Sequence, residues 1–180
     1  MEEMEDTTEK LREIQEELNE NERKESWMLM VALTTAIISV LAAITGLFAG
    51  HHANEGITDQ IKSSDQWAYY QSKSIKLNIE KSTATILRSL DKPVDSNLEK
   101  TQAKYEKEKD DIKEIATEKQ HESEHHFRIH NVLATAVTFF QVAIAVSAIA
   151  IVVRKKPLWY LSLALTVVGL YFMITGFFTL

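Results

Sequence analysis

Three long stretches of the chain are apolar and contain no charged residue. They cover residues 27–50, 132–153 and 157–180. A helix rises 1.5 Å per residue and therefore needs about 20 apolar residues to cross the ~30 Å hydrocarbon layer of a bilayer. Buried helices of soluble proteins rarely run this long without a charge. The pattern predicts three transmembrane helices, at 27–50, 132–153 and 158–180.

The polar region between the first two stretches, residues 51–131, follows the helical period in two successive runs. Apolar or small residues recur at steps of three and four in the first run, at Ile57, Ile61, Ser64, Ala68, Ser72, Ile75, Ile79, Ser82, Ile86 and Leu90. The second run comprises Leu98, Thr101, Tyr105, Ile112, Ile115, His126, His130 and Leu133. Between the runs, Pro93 disfavours helix in the residue before it, and Asp95 or Ser96 can cap the next helix. The pattern predicts an antiparallel helical hairpin with its turn near 91–97.

The hydrophobic stripes of this hairpin are narrow and interrupted by serine and threonine, so a lone hairpin buries little apolar area. Two explanations remain open: the arms pack against hairpins of other copies, or the hairpin is a polar one that stands alone. In either case the predicted fold class is an all-α membrane protein. It has three transmembrane helices and a long antiparallel helical hairpin between the first and the second.

The charged residues outside the hairpin predict an orientation. Residues 1–26 hold 11 acidic and 4 basic residues, and their heptad spacing predicts an amphipathic helix. The heptad positions are Met4, Thr7, Leu11, Ile14, Leu18 and Asn21. The loop at 154–157 is strongly basic, and Arg23 and Lys24 precede the first stretch. Since short cytoplasmic loops are rich in lysine and arginine, we expect a cytoplasmic N-terminus, with the hairpin and the C-terminus periplasmic or extracellular.

Small residues line one face of the first stretch at Ala32, Ala36, Ser39, Ala43, Gly46 and Gly50, which we call the small-residue seam. Small residues let helices approach closely in lipid, where no hydrophobic effect drives association. The seam is a candidate oligomer interface, and packing against the other two spans of the same chain explains it equally well. Ser162, Gly169 and Gly176 form a sparser set in the third stretch. Gln141, the one amide of the second stretch, is expected to hydrogen-bond between helices.

All six histidines lie at the two ends of the hairpin that adjoin the hydrophobic stretches, at His51, His52, His121, His125, His126 and His130. Antiparallel arms would bring His51 and His52 close to His126 and His130. These four are candidate ligands of a non-catalytic divalent metal ion. The favoured alternative is a set of hydrogen-bonded interfacial histidines that respond to pH near 6.

Residues 121–125 match the zinc-peptidase pattern H-E-x-x-H, in which His121 and His125 bind zinc while Glu122 activates water. A catalytic zinc site also needs a third protein ligand and a substrate cleft, and a hairpin offers no evident cleft. The sequence has no P-loop and no nucleophile elbow. We therefore expect no enzyme, no catalytic residue and no resident cofactor, with a zinc peptidase as the remaining alternative.

Composition adds two exclusions. The chain of 180 residues has a net charge of −6, which argues against nucleic-acid binding, and its lack of cysteine excludes a disulfide scaffold. Trp67, Tyr70, Lys73 and Lys76 lie in the middle of the first arm. They are a candidate contact with another hairpin or with a protein partner, and packing against the opposite arm is the alternative.

The run from Trp67 to Lys76 reads W-A-Y-Y-Q-S-K-S-I-K. It resembles the W-A-Y-Y-Q-A-K-S-I-K signature of a bacterial membrane-protein family catalogued as domain of unknown function 4337, with Ser72 in place of an alanine. The ending is also similar to that family: a basic loop, then L-W-Y-L-S-L-A-L at 158–165 and Gly169. The resemblance implies a three-span bacterial inner-membrane protein and brings no activity, cofactor or catalytic residue.

These features predict a non-enzymatic integral membrane protein, surrounded by lipid and assembled into a homo-oligomer, and the resemblance implies that the membrane is the bacterial inner membrane. The seam and the hairpin would form a scaffold or bind a protein partner. A histidine-based metal-binding or pH-responsive accessory to a transport system is the alternative function.

Overall fold

The computed structural model describes residues 2–178, with side chains for Arg12 and residues 14–178. Three α-helices, α1 (Glu2–Ser89), α2 (Ser96–Val153) and α3 (Lys156–Phe178), make up this range, and it contains no strand. Each helix includes a segment that is long and apolar enough to cross a membrane. The predicted fold class is confirmed: the chain is all-α, with three candidate membrane spans, and the long α1 and α2 pack together.

Helix α1 runs without interruption from the acidic N-terminal region to the end of the first hairpin arm. The side chains of Met4, Thr7 and Leu11 lie outside the described residues. Ile14 and Leu18, the next apolar heptad positions, are both exposed. The described part of the N-terminal region therefore shows an apolar edge that no described residue of the same chain covers.

The connection between α1 and α2 is closed by backbone and side-chain hydrogen bonds. Asp91 adopts a left-handed φ of 51°, and the Lys92 N–H donates to the Leu87 carbonyl at 3.0 Å. This is the αL ending by which many helices satisfy their last carbonyls. The Asp95 carboxylate accepts from the Asn97 N–H at 2.9 Å and so caps the start of α2. Of the two candidate capping residues, Asp95 makes this contact.

The chain divides into two compact units, and the first comprises residues 2–48 and 132–178. Its core joins Ile38 of α1 to Ala136, Phe140 and Ala143 of α2, all buried. Two polar contacts add to this packing. The Thr35 and Ser147 hydroxyls lie 2.7 Å apart, and the Trp159 indole N–H donates to Thr34 Oγ1 at 3.2 Å. In lipid, such hydroxyl and indole groups gain from pairing across helices because no water competes for them.

Helix α3 packs closely on α2 through its small residues. Its buried positions are Ser162, Thr166, Gly169 and Gly176. A Cβ atom added at Gly169 would lie 2.7 Å from Phe140 Cε1, and one at Gly176 would lie 2.5 Å from Leu133 Cδ2. Only glycine allows this approach, since both facing side chains are fully buried. The sparser small-residue set of the third stretch is thus used within the chain.

The second unit, residues 49–131, contains the two hairpin arms. The buried residues of arm one are mainly polar or small, namely His52, Gly56, Asp59, Ser63 and Ala84, with Leu77 as the one large apolar residue among them. The Ser63 hydroxyl donates to the Ala116 carbonyl at 2.9 Å, and the Ser123 hydroxyl donates to the Gly56 carbonyl at 2.8 Å. These two buried bonds fix the register of the antiparallel arms. In the first bond a side chain of arm one donates to the backbone of arm two, and in the second a side chain of arm two donates to the backbone of arm one.

Candidate functional site

A buried histidine pair lies between the two arms. His52 is buried, and its Nδ1 lies 3.1 Å from Nδ1 of His126. The two rings stack with centroids 5.3 Å apart. One Nδ1 must donate and the other must accept, so the contact requires at least one neutral ring. The predicted approach of His52 to His126 is present, and it takes the form of a direct hydrogen bond.

Asp59 extends this pair into a short polar network. Its carboxylate is nearly buried, and its Oδ2 lies 3.9 Å from Nε2 of His126. Its Oδ1 accepts from the Lys62 ammonium at 3.0 Å. Asp59 is not among the residues predicted from the sequence. The spacing could have indicated it, because Asp59 lies seven residues after His52 and therefore on the same face of α1, two turns further along.

Burial is the main cause that lowers the pKa of His52 below the ordinary value of 6.5. The positive charge that His126, His51 and His125 can carry lowers it further, while Glu55 opposes this effect. Desolvation disfavours the charged imidazolium, so the folded hairpin favours a neutral His52. The pair is therefore a proton-sensitive contact within the second unit.

The other four histidines do not join this contact. His130 Nδ1 lies 2.8 Å from the Ala49 carbonyl oxygen and donates to it, so that bond fixes its tautomer. His51 and His121 are exposed, and His125 is half-buried with its ring 6.1 Å from that of His126. Among the side chains that the structure describes, which include all six histidines, no group of three or more His, Cys, Asp or Glu is placed to hold a metal ion.

The H-E-x-x-H run lies within helix α2. Glu122 forms a short ion pair with Lys119, one turn earlier on the same helix. Ser123, the third residue of the run, is buried and bonded to Gly56 in the arm contact. The Nδ1 atom of His121 lies 4.0 Å from Oε2 of Glu124, and the His121 side chain is exposed. One residue of the run, Ser123, thus belongs to the arm contact, whereas His121 and Glu124 are exposed.

Two of the four mid-arm candidate residues, Tyr70 and Lys73, contact the opposite arm. The Lys73 ammonium donates to Glu108 at 2.6 Å and lies 5.1 Å from the centre of the Tyr105 ring. This hydrogen bond raises the pKa of Lys73 and lowers that of Glu108. Lys109 lies over the ring of Tyr70 at 5.8 Å, and Trp67 packs edge-on against the same ring. Three of the four candidate contact residues therefore pack within the hairpin, and Lys76 is exposed.

The apolar stripe of arm one lies on the exposed side of its helix. All ten of its positions from Ile57 to Leu90 are exposed, and the five isoleucines are 50–60% exposed. The stripe of arm two behaves differently: Ile112 is buried in the arm contact. The arms thus meet through the stripe of α2 and a largely polar face of α1, which leaves the more hydrophobic face of α1 uncovered.

The small-residue seam of α1 is also uncovered. Ala32, Ala36, Ser39 and Ala43 are exposed, and Gly46 is half-buried beside Val137. Within the described chain, nothing lies within 4 Å of a Cβ built at Gly50. The face that α1 buries in the first unit instead carries Trp27, Val31, Ile38 and Thr45. Within the described residues, packing against the other spans of the same chain therefore uses Gly46 of the seam and leaves Ala32, Ala36, Ser39 and Ala43 exposed.

Gln141 is exposed on α2 in the middle of the second hydrophobic stretch, and within residues 14–178 its amide makes no hydrogen bond. The expected bond between helices is thus absent among the described residues of the single chain. An amide at this position faces either hydrocarbon, where it is costly, or another molecule.

Comparison with known proteins gives one match. The family described as "Domain of unknown function (DUF4337)" matches residues 27–179. No curated protein and no solved structure matches the chain. The family match includes all three candidate spans and both hairpin arms, as the resemblance at Trp67–Lys76 predicted. This chain is a member of the DUF4337 family.

Proposed function

We propose that this protein is a non-enzymatic membrane scaffold that self-associates within the bilayer through the small-residue seam. The observation that carries the proposal is the contrast between its two small-residue faces. The face of α3 is buried against Phe140 and Leu133, whereas four of the seam's six positions, Ala32 to Ala43, are exposed in the first unit. Two such faces on one protein imply two contacts, one within the chain and one between chains.

The physical reason lies in the lipid environment. Lipid chains are as apolar as leucine, so a leucine-rich surface gains little by leaving lipid. A face of alanine, serine and glycine lets a second helix approach closely, and the gain comes from van der Waals contact along the backbones. The exposed Gln141 amide supports the same conclusion, because a second chain can supply its missing hydrogen-bond partner.

The scaffold proposal includes a bacterial inner-membrane location, a cytoplasmic N-terminus and a hairpin on the opposite side. Arg154, Lys155 and Lys156 support this orientation through the positive-inside rule. A zinc peptidase is less well supported, because Glu122 is paired with Lys119 and Ser123 serves the arm contact. These contacts engage two of the five residues of the run, and a catalytic zinc site would also need a third protein ligand.

The oligomeric state tests the proposal. Protein purified in a mild detergent should give a discrete oligomer by native mass spectrometry, and Ala43→Leu should shift it toward monomer. Ala164→Leu is the matched control, since Ala164 is also an exposed alanine in a candidate span but lies on α3, away from both the seam and Gln141. A wild-type protein that remains monomeric over a wide concentration range would overturn the proposal, as would equal effects of the two substitutions.

A pH-responsive accessory is the second candidate, and the hydrogen bond between His52 and His126 is the observation that favours it. A contact that requires a neutral ring weakens when both rings are protonated. If the hairpin reports pH to a partner, partner binding should change between pH 7.5 and 5.5, and His52→Gln should abolish the change. Binding that is independent of pH would remove this candidate.

A further inference from the structure

The stripe of arm one carries a pattern that repeats after 18 residues. Ile57, Ile61 and Ser64 recur as Ile75, Ile79 and Ser82. Eighteen residues are five turns of an α-helix, or about 27 Å, so the repeated residues point in the same direction. Arm one therefore presents two equivalent segments on one face, each with two isoleucines followed by a serine.

The composition of this face does not fit a surface that remains in water. Of the residues from 51 to 131, 28 are charged, yet none of the ten stripe positions is. The opposite face of the same helix carries His52, Asp59 and Ser63 and is already used by arm two. A helix with a polar face inside and an apolar face outside buries the apolar face in a further contact.

We infer that the first arms of two copies pair along this stripe, in parallel and in register. This inference rests on the proposed self-association and names a second contact for it, outside the small-residue seam. The face fits a second copy because it is neutral and self-complementary. In such a pair each isoleucine of the stripe packs against the same isoleucine of the other copy, and each serine or alanine packs against its counterpart. No charged residue lies at the centre of the contact.

The contact is of a size that suits membrane-anchored partners. The exposed isoleucines offer on the order of 300–600 Å² per copy, about the extent of the largest apolar patch on a typical monomer, which is often functional. This is less than most stable interfaces of soluble proteins bury. Spans inserted in one bilayer raise the effective concentration of the arms and make them run in the same direction. The membrane also selects the in-register pairing over one shifted by a repeat.

Single-cysteine cross-linking in native membranes tests the inference, since the chain has no cysteine of its own. Ser64→Cys and Ser82→Cys should each form disulfide-linked dimers on mild oxidation, because paired faces bring equivalent Cβ atoms within bonding reach. Ala103→Cys is the matched control, a small exposed residue on the other arm, and should cross-link at least tenfold less. Equal cross-linking at all three positions would reflect random collision and overturn the inference.

The register has its own test. Two differently tagged chains, one with Ser64→Cys and one with Ser82→Cys, should yield no mixed dimer. A mixed dimer would overturn in-register pairing. Ile75→Glu should lower cross-linking at Ser64 and Ser82 by tenfold or more while the helical content stays unchanged. A cross-linked partner that mass spectrometry identifies as another protein would also overturn pairing between copies.

A cysteine in the seam separates this inference from the scaffold proposal. Ala36→Cys reports pairing in the first unit. Cross-linking at Ala36 without cross-linking at Ser64 and Ser82 would leave the scaffold proposal in place and refute the pairing of the arms. Loss of cross-linking at all three positions, with a monomer in native mass spectrometry, would refute both.

Discussion

His52 and His126 share a single hydrogen bond between their Nδ1 atoms, at 3.1 Å. Such a bond exists only while one of the two rings lacks a proton at that atom. Because burial lowers the pKa of His52, the folded hairpin holds the neutral form where a free histidine would begin to take up a proton. The free energy of unfolding of this end of the hairpin therefore depends on pH.

The sign of this linkage gives the first prediction. The folded-state pKa of His52 lies below 6.5, so below that pH the unfolded state binds more protons than the folded state. Stability should be highest above pH 6.5 and fall as the pH drops toward the folded-state pKa. Hydrogen exchange of peptides covering 49–60 and 122–131, corrected for intrinsic rates, should show more opening at pH 5.5 than at pH 7.5.

His52→Gln should remove most of this pH dependence, because glutamine does not titrate. His51→Gln is the control, since His51 is its exposed neighbour and takes no part in the Nδ1 contact. Asp59, Glu55 and His125, which also face the pair, are unchanged in both variants, and His51→Gln removes only the effect of the His51 charge, which is smaller than that of burial. If both variants kept the wild-type pH dependence, the pair would not be its source.

The close approach of α3 to α2 gives the second prediction. A methyl group at Gly169 would lie 2.7 Å from the buried Phe140 ring, so Gly169→Ala should destabilise the first unit by about 1–3 kcal/mol. Gly46→Ala is the matched control. Its methyl group would meet Val137 at an ordinary 3.9 Å and improve helix propensity, so stability should hold or rise. Unfolding of the full chain in mixed detergent micelles measures both, and equal midpoints would contradict the close packing of Gly169 on Phe140.

The exposed amide of Gln141 gives the third prediction. Gln141→Leu should weaken self-association by about 1 kcal/mol, a factor of roughly five in the dissociation constant, if a second chain bonds to this amide. Thr138→Val is the control, because the Thr138 hydroxyl already donates to the Ala134 carbonyl at 2.9 Å. Energy transfer between labelled copies diluted in vesicles reports the constant. Tighter association of Gln141→Leu would show that the amide faces lipid.

The hairpin turn gives the fourth prediction. Asp95→Ala removes the side chain that caps α2 and should destabilise the first turn by about 1 kcal/mol. Hydrogen exchange of amides 97–99 should then accelerate by roughly fivefold. Ser96→Ala is the control, since Asp95 is the residue that accepts from the Asn97 N–H. Equal acceleration in the two variants would mean that the capping role is shared.

Much of the architecture was accessible from sequence because it rests on local rules. Charge-free stretches of helical length predict membrane spans from the cost of burying charge in hydrocarbon. Pro93 and the residues around it predict the hairpin turn from backbone geometry. The resemblance to the family is equally local, because it was carried by the run at Trp67–Lys76 and by the basic loop and aromatic residues that begin the third stretch. The family match itself extends over residues 27–179.

The faces through which the helices pack were harder to predict from the sequence. The apolar period of arm one correctly identified one face of the helix, but it did not indicate what that face packs against. Ser63 and Ser123 carry the arm contact, and a serine inside a polar helix gives no signal that it is buried. Likewise both small-residue sets mark one face of a helix by their spacing, although α3 buries its set and most of the seam on α1 stays exposed.

By itself, the sequence determined the all-α class, the three spans and the antiparallel hairpin, since helical period, length and charge decide these along one chain. Only the tertiary structure decided which face of each helix is used inside the molecule. That choice depends on the relative rotation of packed helices, which sets Ser63 against Ala116 and turns Ile75 away. Periodicity defines a face but not the direction in which it points, because direction is a relation between two helices.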